Sequence, residues 1–149
     1  ILERVLREDV DLRALLADWQ SGAVKQLLVA RTLGLRREWP ELFTTGAYQP
    51  LSIEGASADR MVAFARTHEG TTAVIVAPRL VAPLLEGAEL PLPPAAAWAD
   101  TRVLLPEEWA DGSLSNVLTR RKHAPSGKHI VVADLLADLP LALLLRRAG

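Results

Sequence analysis

Leu12, Leu15, Leu16 and Trp19 recur at intervals of three and four behind Asp9 and Asp11, a spacing that predicts an amphipathic helix of roughly three turns. The two acids suit its start, as caps for free N–H groups and as negative charges at the positive end of the dipole. Ser21-Gly22 interrupts the pattern. Beyond it Val24, Leu27, Leu28 and Leu35 share one face of a second helix, and Ala23, Leu27, Ala30 and Gly34 form a small-residue stripe that lets a neighbouring backbone come close. Arg36 and Arg37 suit the carbonyl end of this helix. Pro40 biases Trp39 away from helical angles, so the helix is expected to stop there. Trp19 and Trp39 are expected in the core of this helical hairpin, with Trp39 locking helix to sheet.

After Pro40 the period shortens to two, and Gly and Pro punctuate the chain as they do in antiparallel sheets. Strands are predicted at Tyr48 to Glu54, Met61 to His68 and Thr71 to Ala77, the last two joined by a tight turn at Glu69-Gly70. Leu84 to Trp98, rich in proline and alanine, reads as a long surface loop, because proline cannot donate to a strand ladder. Short strands fit at Arg102 to Leu105, Ser113 to Thr119, Ile130 to Val132 and Leu141 to Leu145, with one helical turn at Asp134 to Asp138. The expected fold class is therefore α+β: an N-terminal helical hairpin over 1–40, followed over 41–149 by an antiparallel, β-sandwich-like domain.

Composition narrows the chemistry. The chain has 149 residues, half of them apolar, and no cysteine, which removes disulfide frameworks, thiol nucleophiles and thiolate zinc sites. A formal charge of -1 creates no global field to draw nucleic acid or an anionic membrane. No apolar run is long enough to span a membrane, and Ile1 to Val10 carries too many charges for a signal peptide. A cytoplasmic protein is expected. Met61 is the only methionine, so Ile1 is not expected to be a translation start and the chain reads as part of something larger.

Candidate sites are few. His68, His123 and His129 lack any metal-ligand spacing, and the motifs of zinc peptidases, α/β-hydrolases, dinucleotide-binding folds and P-loops are missing. An acid pair such as Asp100 with Asp111 has no spacing rule to support it. Sequence thus names no catalytic residue, no metal and no cofactor. Arg120-Arg121-Lys122-His123, with Lys128 and His129, could contact an anionic partner, against the simpler reading of a solvated loop. One Tyr and two Phe give little to stack on bases. Trp98 and Trp109 flank loops, and if exposed their flat rings could pack on a sugar.

The stretch Val24-Lys25 through Leu35-Arg36-Arg37-Glu38-Trp39-Pro40-Glu41-Leu42-Phe43, then Gly46-Ala47-Tyr48-Gln49-Pro50-Leu51, resembles the junction between the last barrel helix and the C-terminal β-domain of α-amylase-type glycoside hydrolases. Val62-Ala63-Phe64-Ala65-Arg66, Val76-Ala77-Pro78-Arg79, Trp98-Ala99-Asp100-Thr101 and Leu135-Leu136-Ala137-Asp138-Leu139-Pro140 with Ala142-Leu143-Leu144 resemble, in order, the C-terminal end of the maltooligosyltrehalose synthase family. The likeness runs from about Asp11 to Leu145. It implies an enzyme that turns the reducing-end α-1,4 bond of a maltooligosaccharide into an α,α-1,1 bond by intramolecular transfer. Such retaining chemistry uses two carboxyl groups roughly 5 Å apart, which in this family sit at the ends of barrel strands. No position here matches them. The resemblance therefore implies an accessory part without turnover of its own, partnered by a catalytic barrel that binds the maltooligosaccharide. An uncovered helix face could also lead isolated copies to self-associate. The alternative is a free-standing carbohydrate- or anion-binding module.

Overall fold

The computed structural model describes residues 2–148. Five helical segments come first: α1 (Leu2–Val5), α2 (Leu12–Ala17), a 3-10 turn at Trp19–Ser21, α3 (Ala23–Glu38) and α4 (Pro40–Thr44). Asp11 caps α2, its carboxylate accepting from the Ala14 N–H at 3.0 Å. The helix is shorter than its spacing predicts, because the Ser21 hydroxyl donates to the Asp18 carbonyl at 2.7 Å and so favours a turn over continued helix. Gly22, at φ +79°, then redirects the chain into α3. This early stop corrects the expectation for Trp19, which is 52% exposed rather than core. Trp39 ends α3 and is half-buried, with the Arg147 guanidinium 4.5 Å above its ring. Pro40 does not open strand structure at once. Its fixed φ suits a first helical position, and α4 follows.

Among the described residues nine strands complete the fold: β1 (Ala47–Pro50), β2 (Ile53–Glu54), β3 (Met61–His68), β4 (Thr71–Pro78), β5 (Arg102–Leu104), β6 (Leu114–Asn116), β7 (Lys122–His123), β8 (His129–Val131) and β9 (Ala142–Arg147). Six of them form one sheet in the order β1-β3-β4-β9-β6-β7, and β2-β5-β8 form a second. Every pairing is antiparallel. The β3–β4 hairpin has the expected two-residue turn, with His68 opposite Thr71 and both Glu69 and Gly70 at positive φ. That is the geometry that matches strand twist. The last strand in sequence, β9, is central, between β4 and β6.

Pairing register sorts side chains onto two faces. Met61, Ala63 and Ala65 of β3, Val74 and Val76 of β4, and Ala142 and Leu144 of β9 meet Val103 and Ile130 of the small sheet in one core. Ala73, Leu143 and the partly buried Ile75 and Leu145 face the other way, onto Leu15, Leu16, Leu27, Leu35 and Leu42 of the helices. The larger sheet is thus covered on both faces, helices on one and the small sheet on the other. Val74 and its neighbours from Thr71 to Ala73 are all buried, so strict alternation fades there. The α+β class with antiparallel sheets is observed; the layer of helices against the large sheet goes beyond the expected pair of β layers.

Three expectations are corrected. Tyr48 to Glu54 is two strands, because Leu51 N–H donates to Ala63 while Leu104 N–H donates to Ser52, so the chain crosses from one sheet to the other. Leu84 to Trp98 is not all loop: a 3-10 helix at Ala82–Leu85 and the one-turn α5 (Ala95–Trp98) bracket it. The stretch beginning at Arg120 is not simply a solvated loop, since Lys122–His123 pair with β6. The helical turn expected at Asp134 to Asp138 is present but starts two residues earlier, as α6 (Val132–Leu135). Among the described residues no helix is long and apolar enough to cross a membrane.

Candidate functional site

Trp98 is fully buried and Trp109 nearly so, both within the core between the two sheets. Neither ring is open to a ligand in this chain, so the condition on which sugar contact by Trp98 and Trp109 rested is not met. The reason for Trp98 is a clasp between two loops. Ala56 N–H donates to the Asp100 carboxylate at 2.9 Å, Ser57 N–H to the Thr101 hydroxyl at 3.0 Å, and the Ser57 hydroxyl to the Ala97 carbonyl at 3.0 Å. Thr101 N–H in turn donates to the Trp98 carbonyl. These bonds pull α5 onto the sheet and press its aromatic residue inward.

The basic cluster is largely neutralised from within. Arg120 lies 3.2 Å from Glu8, Arg121 2.8 Å from Asp138, and Lys128 3.0 Å from Glu107. Lys122 is the one Lys or Arg of the group without a carboxylate partner among the described residues. A depression of about 250 Å³ does gather Arg121, Lys122, His123, Ser126, His129 and Asp134. His123 is buried on β7, and its Nε2 has no hydrogen-bond partner. Burial first, then the Arg121 charge, holds its pKa below the usual 6.5.

A pH dependence follows with a definite sign. A histidine kept neutral in the folded state binds fewer protons than in the unfolded chain, so stability is full above pH 6.5 and falls as pH drops below it. Urea melts at pH 7.5 and 5.5 are expected to show lower stability at the lower pH, and His123→Gln is expected to flatten that difference. Equal stability of the wild-type chain at both pH values would contradict it.

His68 approaches Glu41 at 3.9 Å and lies apart from the His123 and His129 depression, facing a small cavity of about 210 Å³ with Glu38, Trp39 and Glu69. Among the described residues no group of three or more His, Asp and Glu side chains is placed to hold a metal ion. Asp100 accepts from a backbone amide as above and Asp111 is exposed; nothing joins them as a reacting pair.

What remains is uncovered apolar surface. On α3, Ala23, Leu27 and Leu35 are buried, whereas Val29 is 48% and Leu33 57% exposed. With Gly22, Lys25, Gln26 and Ala30 they line a shallow groove of about 510 Å³. A second patch lies on the large sheet beyond the helices. Register places Tyr48, Val62 and Phe64 on the helix-side face, with Tyr48 and Val62 exposed and the Tyr48 and Phe64 rings 5.4 Å apart. Isolated exposed apolar residues are ordinary; here a helix stripe and a sheet corner are both left uncovered by the rest of the described chain. An uncovered helix face was expected from sequence, without Val29 or Leu33 singled out on it; the sheet corner was not legible, because only the tertiary fold shows where the helices end.

The chain is 35% identical over 119 residues to a protein of Mycobacterium tuberculosis (strain CDC 1551 / Oshkosh) named as a maltooligosyl trehalose synthase, and equally to its counterpart in strain ATCC 25618 / H37Rv. The match covers 80% of this chain but 13% of each relative. The chain thus corresponds to about one eighth of the length of these relatives. No family model matches the chain, and no solved structure matches it significantly.

Proposed function

We propose that this chain is the C-terminal, supporting part of an enzyme of trehalose synthesis, one that rearranges the reducing-end α-1,4 bond of a maltooligosaccharide to an α,α-1,1 bond. The observation that carries this reading is the 119-residue match to proteins named for that activity. The uncovered α3 stripe and sheet corner agree with it, since a scaffold must leave open the surface on which the larger body rests. In this reading the helices of 1–40 complete a catalytic barrel, the residues of 41–149 buttress it, and the enzyme works in the cytoplasm. Burial of the docking surface would stabilise the whole by about 25 cal/mol per Å² of apolar area. Substrate and reacting carboxylates belong to the barrel, and this chain alone does not turn over maltooligosaccharide.

A chimera tests the reading. The Mycobacterium tuberculosis relative with its matching stretch deleted is expected to lose conversion of maltopentaose to a non-reducing product. Grafting residues of this chain in place of the deleted stretch is expected to restore it, to within about tenfold of the intact relative. An active deletion variant, or a soluble, folded but inactive chimera, would overturn the proposal. The alternative of a free-standing glycan- or anion-binding module has lost its two tryptophans to the core and most of its cationic charge to internal ion pairs.

A further inference from the structure

The outward stripe of α3 carries a charge pattern that its apolar residues alone do not explain. Taking 100° per residue around Val29, the stripe includes Gly22, Lys25, Leu33 and Arg36, with Gln26 and Arg37 at its margin. Lys25, Arg36 and Arg37 are exposed, and none has a carboxylate within salt-bridge distance among the described residues. Arg31, by contrast, turns inward and donates to the Leu118 carbonyl. From Gly22 to Arg37 there is no acidic residue. The groove is therefore an apolar centre, Val29 and Leu33, with cations that lack a carboxylate partner at both ends, Arg36 lying 6.0 Å over the Phe43 ring.

We infer that the groove receives an amphipathic helix whose apolar stripe is flanked by Asp or Glu. This names the chemistry of the partner on the surface already assigned to docking. It rests on the proposed function only for where that helix comes from, namely the larger body of the same enzyme. A second copy of this chain is the poorer occupant. Antiparallel pairing about the centre of the stripe sets Lys25 against Arg36 and Arg37, and parallel pairing sets each cation beside its own copy. Like charges then meet in either register, which opposes association. An acid-flanked helix instead brings a carboxylate to each of these cations and covers the Val29 and Leu33 side chains between them, the helix-in-groove mode of recognition.

Amide NMR titration of the isotope-labelled 149-residue chain tests this with three probes: a four-turn peptide with a leucine stripe flanked by glutamate, the same peptide with lysine flanks, and anionic phosphatidylserine vesicles. The glutamate peptide is expected to shift amides between Gly22 and Arg37, and to bind about tenfold more tightly than the lysine peptide. The double variant Lys25→Glu with Arg36→Glu is expected to reverse that preference while keeping the rest of the spectrum. Equal binding of the two peptides, binding of neither, concentration-dependent dimerisation through the same amides, or response to vesicles alone would each overturn the inference. None of these outcomes depends on trehalose formation, so an inactive chimera with a positive titration would fault the proposed activity and leave the docking chemistry intact.

Discussion

Gly55→Ala is expected to be among the most damaging single-methyl additions in the chain, lowering stability by about 3 to 5 kcal/mol in urea melts. Gly55 sits at φ +110°, a conformation L side chains rarely adopt, and an added Cβ would lie 2.5 Å from Thr101 Cα and 2.7 Å from Thr101 N. Both obstacles are backbone, so no rotamer change relieves them. Thr101 cannot retreat cheaply, because its carbonyl accepts from Val132 N–H and its hydroxyl from Ser57 N–H. The methyl therefore strains the whole clasp. Gly34→Ala is the control: on α3 an added Cβ meets nothing within 4 Å, and the change is expected to stabilise by about 0.5 to 1 kcal/mol. A loss below about 1 kcal/mol at Gly55 would show that the clasp yields more readily than its hydrogen bonds imply.

Trp98→Ala is expected to cost about 3 to 5 kcal/mol, the range for emptying a large aromatic site. The ring is fully buried among residues from both sheets. Trp98→Phe separates packing from polarity. The Trp98 indole N–H has no hydrogen-bond partner, so phenylalanine removes an unsatisfied donor along with some volume and is expected to lose less than half as much. If Trp98→Ala proved nearly neutral, or if Trp98→Phe were as harmful as alanine, the residue's role would not be that of a core filler.

Much of the helical layer was legible because its signals are local. Asp11 as a cap, Gly22 as the break before α3 and Pro40 as its limit act within one turn of the residues they govern. The β3–β4 hairpin was equally legible, since two residues with positive φ suffice to define its turn. The passage from β1 to β2 was not. An extended chain that leaves one sheet for another keeps its alternation, and only the remote partners of Leu51 and Ser52 mark the change. Trp98 misled for a similar reason: prolines and alanines around it read as solvent-exposed loop, while its burial comes from Asp100 and Thr101 gripping a segment more than forty residues earlier. At His123 the flanking cations suggested water, yet the pairing of β7 with β6 sets it opposite Leu114 and turns it inward. As for the candidate site, an uncovered helix face was expected from sequence, but Val29 and Leu33 as its exposed members were not, since the expected apolar face runs through Val24, Leu27, Leu28 and Leu35. The cations at its two ends are told apart from Arg31 only by the fold, which turns Arg31 inward to the Leu118 carbonyl.

The central place of β9 bears on how the protein is made. A ribosome delivers β4 and β6 well before it delivers residues 142–147, yet those two strands are joined into one sheet only through β9, which pairs with both. The nascent chain therefore holds two open ladders, with Val74 and Leu114 lacking their cover, throughout the synthesis of the intervening segment. Both ladders are closed only when β9, the sixth strand of the large sheet, pairs with them.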